Sequence, residues 1–154
     1  MGAREFDYYI FVDYSEDFIG YNIVEFSKVK ELIPHISKIK HYKEVNHKSQ
    51  YLKAIKRILS NINDYFLALK IKKLTSTLEI FADISDFIKN HGNSRIFISM
   101  DDKQSSNFER LVNIANKDNI SVVKEGKLRK DSIEHKLSLI IDNLLNIERI
   151  NHEI

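Results

Sequence analysis

The sequence predicts an α/β fold in which helices pack on a mixed β-sheet. Short runs of aromatic and β-branched residues alternate with longer segments whose apolar residues recur at helical spacing. No repeat, low-complexity tract or Gly/Ser/Pro-rich linker interrupts the 154 residues, so we expect one domain over residues 1–154. A chain of ~150 residues can bury roughly two-thirds of its unfolded surface, which is enough for a single core.

A β-hairpin is predicted at the N-terminus. Residues 8–12 (YYIFV) form a continuous apolar run, typical of a strand buried on both faces, and the run ends at Asp13. After a short polar stretch, residues 18–26 again favour an extended conformation. This pattern indicates a hairpin rather than a helix after the first strand.

The next third of the chain is largely helical in pattern. Apolar residues recur at helical spacing from Ser27 to Ile62, with breaks near Pro34 and Asn46. The pattern of residues 36–45 does not distinguish a further strand from irregular structure.

The remaining elements alternate between strand and helix. Strands are predicted over residues 65–71, 95–100 and 119–123. Helices are predicted to begin at Ser76, Ser106 and Asp131, each of which is followed three residues later by Glu in a capping-box pattern. We expect Asp131 to be the N-cap of the last helix, and Gly92 to end the first of the three.

Composition excludes several classes of protein. The sequence has no cysteine, so it has no disulfide, Cys-ligated metal or thiol nucleophile, and its four glycines form no phosphate-binding loop. No apolar stretch approaches the ~20 residues that span a bilayer. The default expectation is a cytoplasmic protein without a membrane segment.

The net charge of +2 conceals a strong internal asymmetry. Residues 1–27 contain one basic and six acidic residues, whereas residues 28–57 contain nine basic and two acidic residues. An acidic segment next to a basic one predicts cation binding beside a polyanion-binding surface. The alternative is that the lysines form ordinary solvated helix faces.

Acidic residues follow two of the predicted strands. Asp13 follows the first strand, and Asp101 and Asp102 follow the strand predicted over 95–100. Sites in α/β sheets are usually built at strand ends, so these acids are candidate ligands if both ends lie at the same edge. Each acid could instead be a turn residue that accepts local backbone hydrogen bonds.

Asp142 interrupts an apolar helix. Residues 137–145 (LSLIIDNLL) are so apolar that most of the helix circumference must be covered. Burying an ionised carboxylate without a partner costs several kcal/mol, so we expect a cation, a metal ion or a hydrogen-bonded neighbour beside it. The alternatives are a structural pair with a lysine, or exposure on the polar stripe that Asp142 shares with His135 and Ser138.

Three carboxylates, from Asp13, Asp101 and Asp142, would suit one or two Mg²⁺ or Mn²⁺ ions. Hard divalent cations take oxygen ligands and retain bound water, so acids from separate elements are sufficient. Such ions can activate water and stabilise the leaving oxygen in phosphodiester cleavage.

The order of these elements and acids resembles the ribonuclease-H-like superfamily, and within it a family of small uncharacterised nucleases with an opening D-E-S-G motif. The resemblance covers roughly residues 8–145. It rests on four segments that are similar to the pattern of that family: YYIFVDYSED, HKSQYLKAIKRILSNINDYFLALKI, RIFISMDDKQSSN and ISVVKEGKLRKDSIEHKLSLIIDNLLN.

The resemblance implies a ribonuclease-H-like mixed sheet with an N-terminal hairpin. It implies catalytic, metal-binding roles for Asp13, Asp101 and Asp142, with Asp102 or Asp131 near the site, and Lys48 is similar in position to a lysine of the family. Two motifs differ from the family pattern. D-E-S-G is replaced by D-Y-S-E at residues 13–16, and the Gln and Ala of the closing L-Q-L-A-D motif are replaced by Leu139 and Ile141.

Two functional hypotheses follow. The first is a metal-dependent phosphodiesterase or nuclease that binds the nucleic-acid backbone through basic residues between positions 28 and 57. The basic residues singled out are Lys48, Lys53, Lys56 and Arg57. The second is a catalytically inactive module that binds nucleic acid or a protein partner, and it is motivated by the two altered motifs.

An alternative fold is the PIN-type nuclease, which also has a carboxylate after its first strand. Such domains normally enter a helix soon after that acid, whereas residues 18–26 have an extended pattern.

Overall fold

A computed structural model describes residues 6–15, 17–99, 120–130 and 132–151. The strands are β1 (Tyr8–Tyr14), β2 (Phe18–Glu25), β3 (Phe66–Lys73), β4 (Ser94–Ser99) and β5 (Ile120–Lys124). The α-helices are α1 (Phe26–Leu32), α2 (Lys48–Asn61), α3 (Thr77–His91) and α4 (Ile133–Asn151). Short 3₁₀ turns occupy Ile33–Ile36, Tyr42–Glu44, Asn63–Tyr65, Leu74–Ser76 and Glu125–Lys127.

The five strands form one mixed sheet in the order β3-β2-β1-β4-β5. β1 pairs with β2, and β2 with β3, in antiparallel register, whereas β1–β4 and β4–β5 are parallel. Asp13, near the end of β1, lies opposite Gly20 on one neighbouring strand and Ser99 on the other. The predicted α/β fold with an N-terminal hairpin is confirmed.

The two faces of the sheet pack against different helices. Side chains alternate between the faces along β1, so Tyr9 and Phe11 belong to a core that includes residues of α1, α2 and α4. Ile10 and Val12 belong to the opposite core, which α3 covers. The same alternation places Asp13 on the α4 face, and the fold therefore has three layers.

Gly20 allows α4 to approach the sheet closely. A Cβ atom at this position would lie 3.1 Å from Ile141 Cδ1 of α4, 3.0 Å from Ile71 Cγ1 and 3.1 Å from the carbonyl oxygen of Lys70. These distances are shorter than ordinary van der Waals contact, so only glycine fits without a shift. Gly20 therefore sets the separation between α4 and the hairpin.

The basic stretch before α2 is irregular. Helix α1 ends at Leu32, two residues before Pro34, which agrees with the break predicted there. All of residues 36–45 are described, and none of them belongs to a strand. They form 3₁₀ turns and loops that bring Ile36, Ile39 and Tyr42 into the core.

The predicted start of helix α3 agrees with the structure, but its predicted capping hydrogen bond does not. Helix α3 begins at Thr77, directly after Ser76, the residue predicted to start its capping box. Ser76 makes no side-chain capping bond within the described residues; instead Thr77 Oγ1 donates to Leu74 O at 2.6 Å. Asp131, the predicted N-cap of the last helix, lies outside the described residues. The next residue, Ser132, accepts the His135 N–H with its Oγ at 3.2 Å. The helix predicted from Ser106 lies outside the described residues.

No helix within the described ranges combines the length and apolar character needed to cross a membrane.

Replacing Gly20 by Ala tests the close approach of α4. We expect the Gly20→Ala variant to lose about 1–3 kcal/mol of unfolding free energy in urea denaturation, because the added methyl group overpacks the contact with Ile141. Gly126→Ala is the matched control, since no described atom lies within 4 Å of a Cβ there, and its unfolding free energy should change by less than about 0.5 kcal/mol. Equal unfolding free energies of the two variants would contradict the close packing of α4 against Gly20.

Candidate functional site

A cleft at the carboxyl ends of β1 and β4 contains both Asp13 and Asp142. Its volume is about 720 Å³. Its walls come from the end of β1, the end of β4, the segment before α2, and α4. Because sheet pairing places Ser99 beside Asp13, the ends of the two parallel strands meet at one edge of the sheet.

Asp13 lies at the β1 side of this cleft and is 7% exposed. Its Oδ1 accepts the N–H of Tyr14 at 2.7 Å, which is the local backbone hydrogen bond expected of a turn residue. Unlike an ordinary turn residue, however, Asp13 is buried on the face that α4 covers. The hydrogen bond orients the carboxylate without removing it from the cleft.

Asp142 lies on α4 and is 8% exposed. Its Oδ2 accepts the N–H of Tyr42 at 3.1 Å, and its Oδ1 is 3.8 Å from His41 Nε2. The expected polar neighbours are therefore present, and they come from the segment before α2. Ser138, one turn earlier, is 4% exposed and donates to His135 O at 2.6 Å, so this part of the polar stripe is covered rather than exposed.

The tautomer of His41 follows from its backbone contact. The N–H of Lys43 donates to His41 Nδ1 at 3.3 Å, so Nδ1 is an acceptor and the ring proton of neutral His41 is on Nε2. This Nε2–H group faces Asp142 Oδ1 at 3.8 Å, which is longer than a direct hydrogen bond. The His41 ring therefore lies next to Asp142 without making a direct hydrogen bond to its carboxylate.

The segment that carries His41 is fixed to α4 and α2 through Lys40. Asn143 is fully buried, and its Nδ2 donates to Lys40 O at 2.9 Å and to Leu139 O at 2.8 Å. The Tyr51 hydroxyl donates to the same Lys40 carbonyl at 2.9 Å and accepts the Lys40 N–H at 2.8 Å. Burial raises the pKa of the Tyr51 hydroxyl, so it remains neutral and able to donate.

Asn143 and Tyr42 were not singled out from the sequence. A second polar residue directly after Asp142 in an apolar helix was the available signal for Asn143, because a buried amide needs partners as a carboxylate does. Tyr42 acts through its backbone N–H, for which a sequence contains no signal.

One of the four predicted nucleic-acid contacts lies at the cleft. Lys48 lines it, donates to Val45 O at 2.9 Å and lies 5.4 Å from the centroid of the Tyr42 ring. Lys53, Lys56 and Arg57 are exposed on α2, and they are not among the described residues that line this cleft.

The described part of β4 ends at Ser99, and the predicted ligands Asp101 and Asp102 lie outside the described residues, as does Asp131. Within the described ranges, no group of three or more His, Asp or Glu residues is arranged to hold a metal ion. Asp13 and Asp142 nevertheless supply two nearly buried carboxylates to one cleft. This oxygen donor set fits a hard divalent cation that keeps part of its water.

The comparisons with known proteins establish the fold. No model of a protein family matches the sequence, and no curated protein matches it. The structure is similar to ribonuclease H2 from Pyrococcus horikoshii OT3, with a TM-score of 0.56 and 12% identity over 94% of this chain and 72% of that chain. It is also similar to a chain of the PCNA:RNase HII complex from Archaeoglobus fulgidus, with a TM-score of 0.51 and 10% identity over 93% of this chain and 72% of that chain.

These similarities confirm the ribonuclease-H-like fold that the sequence resemblance implied. The narrower resemblance to the family with the D-E-S-G motif stays a prediction.

Truncating Asn143 tests how the segment before α2 is held. We expect Asn143→Ala to lose about 1–3 kcal/mol of unfolding free energy in urea denaturation, because two hydrogen bonds of a buried amide disappear. Asn90→Ala is the control, since Asn90 is exposed on α3, and its unfolding free energy should change by less than about 0.5 kcal/mol. A loss no larger for Asn143→Ala than for the control would show that this amide does not anchor the segment.

Proposed function

We propose that the protein is a divalent-metal-dependent phosphodiesterase that acts on nucleic acid. One observation carries the proposal: Asp13 and Asp142, from opposite ends of the chain, line one cleft of a ribonuclease-H-like fold. The two similar structures are, by their names, ribonucleases. Asp13 at a strand end and Asp142 on α4 are both buried, and a bound cation would offset part of the cost of burying their charge.

The cofactor of the proposed reaction is Mg²⁺ or Mn²⁺. Asp13 and Asp142 would hold the ion, and we include Asp101 and Asp102 in the donor set because they follow Ser99 closely in the sequence. When bound, such an ion supplies an activated water and stabilises the charge on the leaving oxygen.

The residues of the chain itself prepare this site. The N–H of Tyr14 orients the carboxylate of Asp13, and the N–H of Tyr42 orients that of Asp142. Both residues are less than a tenth exposed, so the attraction of their carboxylates for a cation is screened less than at the surface. Backbone donors fix the ligands without adding charge that would compete with the ion.

Basic residues are proposed to bind the nucleic-acid backbone. Lys48 is placed to contact a phosphate at the cleft itself, and Lys53, Lys56 and Arg57 would extend this contact along the exposed face of α2. Lysine suits this task because its ammonium group only donates, and phosphate oxygens only accept.

A catalytically inactive nucleic-acid-binding module is the second candidate. Two observations favour it: the opening motif is D-Y-S-E, and Asp142 already has Tyr42 and His41 as polar neighbours within the protein. In such a module the acids would stabilise the fold, and the basic residues would keep their role.

Titration of Mn²⁺ by isothermal calorimetry tests the metal site. We expect Asp13→Asn and Asp142→Asn each to lower Mn²⁺ affinity by at least about tenfold, because the amide keeps the shape but removes the charge. Asp86→Asn is the matched control, since Asp86 is exposed on α3 beyond the opposite face of the sheet, and it should bind Mn²⁺ as the wild type does.

The outcomes separate the two candidates. Mn²⁺ binding together with Mn²⁺-dependent cleavage of labelled RNA or DNA oligonucleotides supports the enzyme. If the wild type and all three variants give the same heats on addition of Mn²⁺, the metal site is ruled out and the binding module remains.

A further inference from the structure

A second cavity adjoins the carboxylate cleft at the ends of β4 and β5. Its volume is about 510 Å³. Ile98 and Ser99 of β4 and Lys124 of β5 form part of its wall, and the loop from β5 to α4 forms another part. Since Ser99 and His41 line both spaces, the two cavities are neighbours that share a boundary.

The described lining of this second cavity contains more basic than acidic residues. Lys124, Lys130, His41 and His135 are among its lining residues. Glu44 is the one acid among the described lining residues, and it is exposed. Ammonium groups donate only, so the cavity is suited to a ligand rich in acceptors and negative charge.

The sequence of the β5–α4 connection agrees with this character. Residues 124–132 (KEGKLRKDS), the end of β5 and its connection to α4, contain four basic residues and two acids. Basic and acidic residues are equal in number over residues 58–154, so a charge count does not reveal this basic segment. The same count does reveal the basic residues between positions 28 and 57. The fold places the less evident group beside Asp13 and Asp142, while Lys53, Lys56 and Arg57 line neither cavity among the described residues.

We propose that this second cavity is a phosphate-binding subsite, in which Lys124 and Lys130 hold a backbone phosphate of the nucleic acid next to the carboxylate cleft. The subsite rests on the proposed function, because its ligand is the nucleic acid of that function. The nucleic acid would pass from one cavity to the other at His41 and Ser99, which line both. A strand passing through both cavities meets Lys48 in the first and the two loop lysines in the second. A volume of 510 Å³ is within the range of cavities that hold small organic ligands, so it accommodates a phosphate and part of its sugar.

Salt dependence of binding tests the subsite. Fluorescently labelled single-stranded and duplex oligonucleotides are titrated with protein at several KCl concentrations, with EDTA present so that no cleavage occurs. We expect the slope of log Kobs against log salt to become less steep in Lys124→Gln/Lys130→Gln, by about 0.7 to 0.9 per lysine removed. Lys89→Gln is the charge-matched control, because Lys89 is exposed on α3 beyond the other face of the sheet, and its slope should equal that of the wild type.

Two further variants keep the result interpretable. Lys124→Arg/Lys130→Arg retains both charges and should restore the slope, which a purely structural role of the lysines would not predict. Asp86→Asn, on the exposed side of α3, should keep the salt slope of the wild type. An unchanged slope in the Gln double variant overturns the subsite whether or not Mn²⁺ binds. A reduced slope without Mn²⁺ binding supports the subsite and rejects the enzyme.

Discussion

Helix α4 packs on the sheet over Gly20, and the position of the candidate site depends on this contact. Ile141 Cδ1 lies 3.1 Å from the position that a Cβ atom at Gly20 would take, so a side chain at residue 20 would press against the helix. Gly20 is paired with Asp13 across the hairpin, and Asp142 follows Ile141 directly. One packing contact therefore brings carboxylates from the two ends of the chain into the same cleft.

The cost of burying polar groups on α4 determines what surrounds them. Residues 137–143 are buried without interruption, and Asp142 and Asn143 are among them. Asp142 accepts the N–H of Tyr42, and Asn143 Nδ2 donates to the carbonyl of Lys40. The carboxylate and the amide nitrogen therefore both find partners in the segment before α2. This segment, which has little regular structure of its own, is thereby fixed at the cleft, and it brings His41 with it.

The sheet could be predicted from the sequence because each strand is a short apolar run with its own boundary. The segment from 33 to 47 could not, because 3₁₀ turns leave no periodic pattern and the N–H of Tyr42 finds its acceptor 100 residues away. Asp13 and Asp142 could be selected from strand ends and from the cost of burying charge. Which lysines line the cleft depends on loop conformation, and a charge count over the chain does not contain that information.

Paramagnetic broadening by Mn²⁺ tests most directly whether Asp13 and Asp142 share a divalent-ion site. The N–H groups of Tyr14 and Tyr42 donate to these two carboxylates, so their amide resonances should broaden first as Mn²⁺ is added below stoichiometric amounts. Amides of α3, such as that of Asp86, should stay sharp because the sheet separates them from the cleft. Broadening of the α3 amides ahead of Tyr14 and Tyr42, or equal broadening throughout, would contradict the shared site.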